Sequence, residues 1–417
     1  MDKLVAHGGK ILSGHIRVSG AKNAVLPIMT AAILAPGSYT IHNVPNLRDT
    51  RTMMKLLRII GGEAALEDGV LQIDTRNVSS PEAPYELVKT MRASFYVLGP
   101  LLARFGQAKV SLPGGCAWGP RPVDLHLKGM EALGAQVELE GGYILATADK
   151  LIGTNFTLDV SSVGATGNIM MAAVLAEGVT TIENAAREPE IASLAMFLNS
   201  LGADIRNIGT DLLEIHGVNS LHPADFTVIP DRIEAGTYLI AGAMIGDDLN
   251  ISPVIPKHLT AVIDKVKRSG AKVTVGEDRL IVSRSLSIRS ENITTAIFPG
   301  FPTDMQAQWM AYMATGDGSS VITEEIYTDR FTHVAELNRL GANITLEGNV
   351  AVVKGVKRLK GAPVMSTDIR ASASLILAAL IAEGRTDIHR IYHIDRGYEQ
   401  IEEKLQGIGA DIVRESE

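Results

Sequence analysis

Several charged side chains fall at one recurring place in the chain. Lys22 lies in Ser19-Gly20-Ala21-Lys22-Asn23 and Arg92 in Thr90-Met91-Arg92-Ala93-Ser94. Arg232 lies in Pro230-Asp231-Arg232-Ile233-Glu234, Asp304 in Pro302-Thr303-Asp304-Met305-Gln306, and Arg370 in Thr367-Asp368-Ile369-Arg370-Ala371. Each stands at the head of an Ala-rich apolar run that reads as a helix. A helix N-terminus already attracts anions through its unpaired N–H groups and its dipole. A cation there does nothing for the helix and points to an anionic ligand. Singly, each reads more simply as a cap neighbour or a surface charge; the repetition favours the ligand. Asp231, Asp304 and Asp368 are also good N-caps, and capping alone explains them.

A second set of charges heads the amphipathic runs: Arg48-Asp49, Arg121 with Asp124, Arg187-Glu188, Asp329-Arg330 and Asp395-Arg396. Arginine meets phosphate and carboxylate with paired donors. Arginines with a few carboxylates among them suit a substrate with several negative groups and a hydroxyl to be activated. The chain's one cysteine, Cys116, stands in Leu112-Pro113-Gly114-Gly115-Cys116-Ala117-Trp118-Gly119-Pro120-Arg121. An inert cysteine is usually a buried small hydrophobe. A thiol in a Gly-rich, exposed loop beside an arginine is a reactive candidate. No phosphate-binding glycine motif opens a helix. His389 and His393 are four apart, but 387–394 reads mainly as a strand, so they are not expected to share a metal.

The elements that carry these residues repeat. An amphipathic run ending in glycine recurs at Gly61, Gly134, Gly202, Gly270, Gly341 and Gly409, at intervals of 73, 68, 68, 71 and 68 residues. Chance is a poor explanation for so even a spacing, and six units of about 70 residues account for the chain. Glycine supplies the left-handed residue that closes a helix. An alternating run such as Gln136-Val137-Glu138-Leu139 follows as a strand. Each unit also has an earlier helix, apolar on nearly all sides, as at 23–34, 165–176, 235–245 and 371–382; such a helix is buried. One unit thus reads strand, helix, strand, helix, strand. A single core does not grow past about 250–300 residues, so two domains of three units are expected, dividing near 223–229. The alternative is an α/β solenoid used as a scaffold, which would keep its loop charges alike from unit to unit.

Composition agrees with a soluble globular protein: 417 residues, 46% apolar and 21% charged, with a net charge of −8. The acidic balance argues against a nucleic-acid binder. One cysteine excludes an internal disulfide framework and a Cys-rich zinc site. The longest apolar stretches fall short of the roughly 18–20 residues that span a bilayer, and the N-terminus has no signal-peptide core. A cytoplasmic protein with no membrane segment and no metal is expected.

With these residues assembled, the sequence closely resembles the UDP-N-acetylglucosamine enolpyruvyl transferase family over its whole length. The resemblance rests on Ser19–Ala24, Lys89–Ser94, the cysteine loop, Asn184–Glu190, Phe301–Gln308, Thr367–Ser372 and His393–Tyr398. It implies an α/β fold of two domains, an inside-out α/β barrel with six repeats of about 70 residues, three per domain. It assigns 22–229 to an N-terminal domain carrying Cys116, and 1–21 with 230–417 to a C-terminal one. It implies transfer of the enolpyruvyl group of phosphoenolpyruvate to the 3′-hydroxyl of UDP-N-acetylglucosamine, with phosphate released and no cofactor consumed. That is the first committed step of bacterial peptidoglycan synthesis. Nucleic acid and membrane are not among the implied partners, and the sequence carries no reading of oligomeric state.

By the same resemblance, Lys22, Arg121, Arg370 and Arg396 hold phosphoenolpyruvate, and Arg92 and Asn23 help place the substrates. Arg121, Pro122, Val123, Asp124, Leu125, Val160, Ser161, Ser162, Val163, Asp304 and Ile326 match positions that contact the UDP-sugar. Asp304 is the candidate base at the sugar hydroxyl. Cys116 matches a cysteine proposed as the acid at C3 and known in the family to form a phospholactoyl adduct. A thiol has a reference pKa of about 8.5, so it can hold a proton at neutral pH. The family more often has a smaller aliphatic residue where this chain has Trp118. Two alternatives accompany this reading: the sister transferase acting on shikimate 3-phosphate, which the Gly-Gly-Cys loop disfavours, and a non-catalytic sugar-nucleotide binder, which the complete set of Lys22, Cys116, Asp304 and Arg396 disfavours.

Overall fold

The amphipathic helices end where the glycine spacing predicts. Gly61, Gly134, Gly202, Gly270, Gly341 and Gly409 all have φ between +89° and +106°, a conformation that costs any residue with a Cβ. The computed structural model describes residues 2–112 and 123–416. The chain divides into two compact units, Gly20–Ile229 and Met1–Ser19 with Pro230–Glu417. Gly20 and Ala21 therefore lie in the first unit and not, as expected, with the N-terminal strand. The Ala21 N–H donates to the Ile229 carbonyl at 2.8 Å. A Cβ on Gly20 would sit 1.7 Å from the Asn43 carbonyl oxygen, so only glycine fits there.

Each sheet has four strands, where the sequence reading expects three per repeat. In one sheet Glu82–Ala83 runs parallel to Gln107–Ser111, which pairs antiparallel with Tyr143–Thr147, itself antiparallel to Gln136–Glu140. The strand missed from sequence is the hairpin return. Its turn was legible: Asp68-Gly69 and Gly141-Gly142 both have φ > 0 at each residue, the requirement of the two-residue turn that matches strand twist. Six sheets of this order form, three of them with a strand borrowed from elsewhere in the chain. Phe226–Thr227 completes the sheet of Ser38–His42. His15–Arg17 pairs with Leu249–Ser252. Asp2–His7 lies between Arg385–His389 and Asp411–Ser416, taking the place of the hairpin return in the last repeat.

The apolar helices form the inside of each unit. Every residue from Ile233 to Ile245 of the Arg232–Ile245 helix is buried. That helix packs against Gln306–Met313 and Ile369–Ile381, and the sheets lie outside. In the other unit Lys22–Ala31, Leu98–Phe105 and Val163–Ala173 occupy the equivalent places. The second repeat departs locally. Its inner helix begins as a 3-10 segment, Arg92–Val97, before the α-helix. Pro100 has no N–H to give a helix, and the Gly99 N–H donates instead to Asn168 Oδ1 at 2.7 Å. Two separate hydrophobic cores result, one in each unit. Among the described residues no helix is long and apolar enough to cross a membrane.

Candidate functional site

In the Gly20–Ile229 unit, Lys22 is the first residue of its helix and is buried. Its amine lies 3.5 Å from Asp49 Oδ2, and Asp49 is the second residue of the Arg48–Ile59 helix. The two charges at equivalent helix starts are thus brought together. Asn23 follows on the exposed side. Arg92 opens the 3-10 segment and is partly buried.

The 3-10 segment also reaches the 160–164 stretch. The Tyr96 hydroxyl donates to the Val163 carbonyl at 3.3 Å. Ser162 caps the Val163–Ala173 helix by accepting from the Ala165 N–H. Such an N-terminus suits a phosphate group. Ser161 is partly buried and Val160 stands 66% exposed. His126, which the sequence reading passed over, ties these parts together. It is buried, edge-on to Phe95 at 5.0 Å. Its Nδ1 and the Asn168 amide nitrogen are 3.1 Å apart, and its ring lies against Gly164, where a Cβ would be 3.0 Å from Nε2. Burial, with Arg92's charge adding to it, lowers its pKa to about 3. Asp124 opens the next helix and is exposed, with Val123 and Leu125 partly buried beside it. Cys116, Arg121, Pro122 and Trp118 lie outside the described residues.

In the other unit, Arg370 is the second residue of the Ile369–Ile381 helix, and Asp368 caps it through the Arg370 and Ala371 N–H groups. Asp231 caps the Arg232–Ile245 helix in the same way. Asp304 does not act as a cap, contrary to that expectation. It lies in the Thr303–Met305 turn before its helix, with no capping bond. Its carboxylate instead bridges two guanidiniums, Arg370 at 2.7 Å and Arg330 at 2.8 Å. Burial alone would push its pKa up; the two arginines outweigh that and hold it well below the usual carboxylate range. Arg370 is also supported by the buried Tyr398 hydroxyl at 3.4 Å. That hydroxyl lies 2.7 Å from Thr237 Oγ1. Ile326 is partly buried, and its N–H donates to Glu324.

Arg396 departs from its expected place. It ends the Ile391–Arg396 3-10 segment rather than opening the Ile401–Gln406 helix. The next residue, Gly397, packs on Ile369 at the head of Arg370's helix. Asp395 takes both ends of the Arg414 fork, at 3.1 and 2.6 Å. The strand expected over 387–394 stops at His389. Among the described residues no group of three or more His, Cys, Asp or Glu is placed to hold a metal ion.

The arrangement offers a cation on a carboxylate in each unit, Lys22 on Asp49 and Arg370 on Asp304. Arg330 and Asp49 were visible in sequence as charges at helix starts. Glu324, Tyr398 and His126 act from inside the fold and left no such signal.

Comparison with known proteins agrees with these motifs. The family model of EPSP synthase (3-phosphoshikimate 1-carboxyvinyltransferase) matches residues 6–405. Curated relatives include the UDP-N-acetylglucosamine 1-carboxyvinyltransferase of Trichlorobacter lovleyi, 55% identical, and that of Myxococcus xanthus, 54% identical, each aligned over 100% of both chains. Among solved structures, the enolpyruvyl transferase NikO from Streptomyces tendae superposes with a TM-score of 0.89 at 29% identity, covering 99% of this chain and 98% of that one. EPSP synthase from Acinetobacter baumannii superposes with a TM-score of 0.77 at 19% identity over 100% of both, a likeness of fold alone.

Proposed function

The chain belongs to the UDP-N-acetylglucosamine 1-carboxyvinyltransferases, within the family described by the EPSP synthase model, and from that premise we propose that it transfers the enolpyruvyl group of phosphoenolpyruvate to the 3′-hydroxyl of UDP-N-acetylglucosamine. The observation that carries this is identity of 52–55% to relatives of that name across the full chain.

The reaction is an addition followed by an elimination. The sugar oxygen loses its proton and bonds to C2 of phosphoenolpyruvate, while C3 gains a proton. The tetrahedral phospholactoyl intermediate then expels phosphate and gives up a C3 proton, which restores the double bond. Both substrates are polyanions. Lys22, Arg121, Arg370 and Arg396 are the proposed holders of phosphoenolpyruvate, with Arg92 and Asn23 helping to place the substrates. Residues 121–125 and 160–163, Asp304 and Ile326 are the proposed contacts of the UDP-sugar. No cofactor enters the scheme.

Asp304 is the proposed base, and Cys116 the proposed acid at C3. Asp304's two ion pairs bear on its role. A carboxylate held by two arginines is a weak base, so its basicity rises when an anion competes for Arg370. Phosphoenolpyruvate carries such an anion, so its arrival both fills the site and strengthens the base.

In this reading the enzyme works in the cytoplasm and serves cell-wall synthesis, cell shape and division. Fosfomycin, an epoxide bearing a phosphonate, would occupy the phosphate-holding cations and alkylate Cys116. The direct test is phosphate release from phosphoenolpyruvate with UDP-N-acetylglucosamine as acceptor, read beside shikimate 3-phosphate.

A further inference from the structure

Glu324 is fully buried just beyond the Ser319–Thr323 strand. Four donors converge on its carboxylate. Thr295 Oγ1 at 2.7 Å, the Ile326 N–H at 2.9 Å and the Tyr327 N–H at 3.0 Å reach Oε1. Thr303 Oγ1 reaches Oε2 at 2.9 Å. All four are donors, which suits a carboxylate, an acceptor-only group. Burying a carboxylate is costly unless it is well bonded, and here groups from separate segments use both oxygens.

Thr303 passes the connection on. Its Oγ1 accepts from Arg330 Nη1 at 3.0 Å, and that same nitrogen lies 2.8 Å from Asp304 Oδ1. The Arg330 carbonyl accepts from Gln306 Nε2 at 3.3 Å. The Ile326–Tyr327 main chain and the turn carrying Asp304 are therefore fastened to one buried carboxylate.

We infer that Glu324 is a positioning residue for the transfer: through Thr303 it holds the Ile326 main chain and the Asp304–Arg330 pair in register. The inference rests on the proposed reading that Asp304 and Ile326 face the UDP-sugar. Glu324 itself touches no substrate.

Two near-isosteric variants test it. Glu324→Gln keeps Oε1 for its three donors but turns an N–H group towards Thr303. Thr303→Val removes the hydroxyl. Each should stay folded with a melting temperature close to that of the wild type. Each should lose between about tenfold and 10²-fold in kcat per folded molecule, the scale of a small misplacement. The acid limb of the kcat profile should move to higher pH, because Arg330's hold on Asp304 loosens. The double variant should be no worse than the more damaged single one. Unchanged kcat per folded molecule and an unmoved acid limb, with only the melting temperature lowered, would reduce Glu324 to a structural anchor and overturn the inference. Amide hydrogen exchange over residues 303–306 gives a readout without turnover. Faster exchange there in both variants upholds the positioning role, and unchanged exchange overturns it. Wild-type transfer to UDP-N-acetylglucosamine is the separate control: its absence defeats the functional reading and leaves exchange to decide the role of Glu324.

Discussion

Asp304 and Arg370 meet at 2.7 Å, each near the start of its own inner helix. The proposed base and a proposed anion holder are thus one ion pair before substrate arrives. Arg330 holds the other carboxylate oxygen, so Asp304 stays fixed in place when Arg370 is drawn towards an anion.

Asp304→Asn should keep the fold and lose about 10²–10⁴-fold in kcat, the range for removal of a general base. UDP-sugar binding should weaken far less, since an amide can still accept a hydrogen bond from the hydroxyl. Calorimetry and steady-state rates together decide it. Binding abolished with a normal saturated rate would make Asp304 a binding residue only.

Cys116 should take one stoichiometric adduct from fosfomycin, found by peptide mass mapping, and faster with UDP-N-acetylglucosamine bound. Cys116→Asp should block alkylation, because a carboxylate is a poor nucleophile towards the epoxide. It can retain turnover, because a carboxylic acid with a raised pKa also donates a proton. An adduct on another residue, or inactivation of the variant at the wild-type rate, would refute the role given to the thiol.

Acid should weaken both units through buried neutral histidines. Burial pushes His126 down to about 3 and His333 to about 4, whereas unfolded histidines titrate near 6.5. Below that pH the unfolded chain binds more protons, so stability present above about pH 6.5 is lost as pH falls towards 4. Urea midpoints should drop across this window, as unfolding free energy falls by about 1.4 kcal/mol per pH unit for each histidine. His333→Gln should flatten the dependence of its unit. A midpoint that rises between pH 7 and 5 would contradict the account.

Gly341→Ala should cost about 1 kcal/mol without touching kcat. Its φ is +89° and the nearest atom to an added Cβ is 4.0 Å away, so backbone strain is the whole effect. Thermal unfolding checks this, and an unchanged or raised melting temperature would show that the turn relaxes freely.

The repeats were legible because each carries the same mark, an amphipathic helix closed by a left-handed glycine. The inner helices were legible because they are apolar all round. What sequence reading missed was long-range or local and small. Asp2–His7 enters the sheet of Asp411–Ser416 from the far end of the chain; no local pattern announces such a partner, and only the family resemblance placed 1–21 with 230–417. The hairpin returns are announced only by their turns, Asp68-Gly69 and Gly141-Gly142. At the site, charges heading helices were visible as Lys22, Arg92 and Arg370. Their partners were not: which carboxylate faces which arginine depends on packing between repeats, as where Asp395 meets Arg414. Glu324 escaped notice because its donors come from three separate places along the chain, Thr295, Thr303 and Ile326–Tyr327.

The measurement that bears most directly on the account is phosphate release from phosphoenolpyruvate, followed with product mass. With UDP-N-acetylglucosamine, one phosphate should appear for each enolpyruvyl-sugar formed, and none with shikimate 3-phosphate. No release with the nucleotide sugar, or release with shikimate 3-phosphate instead, would contradict it.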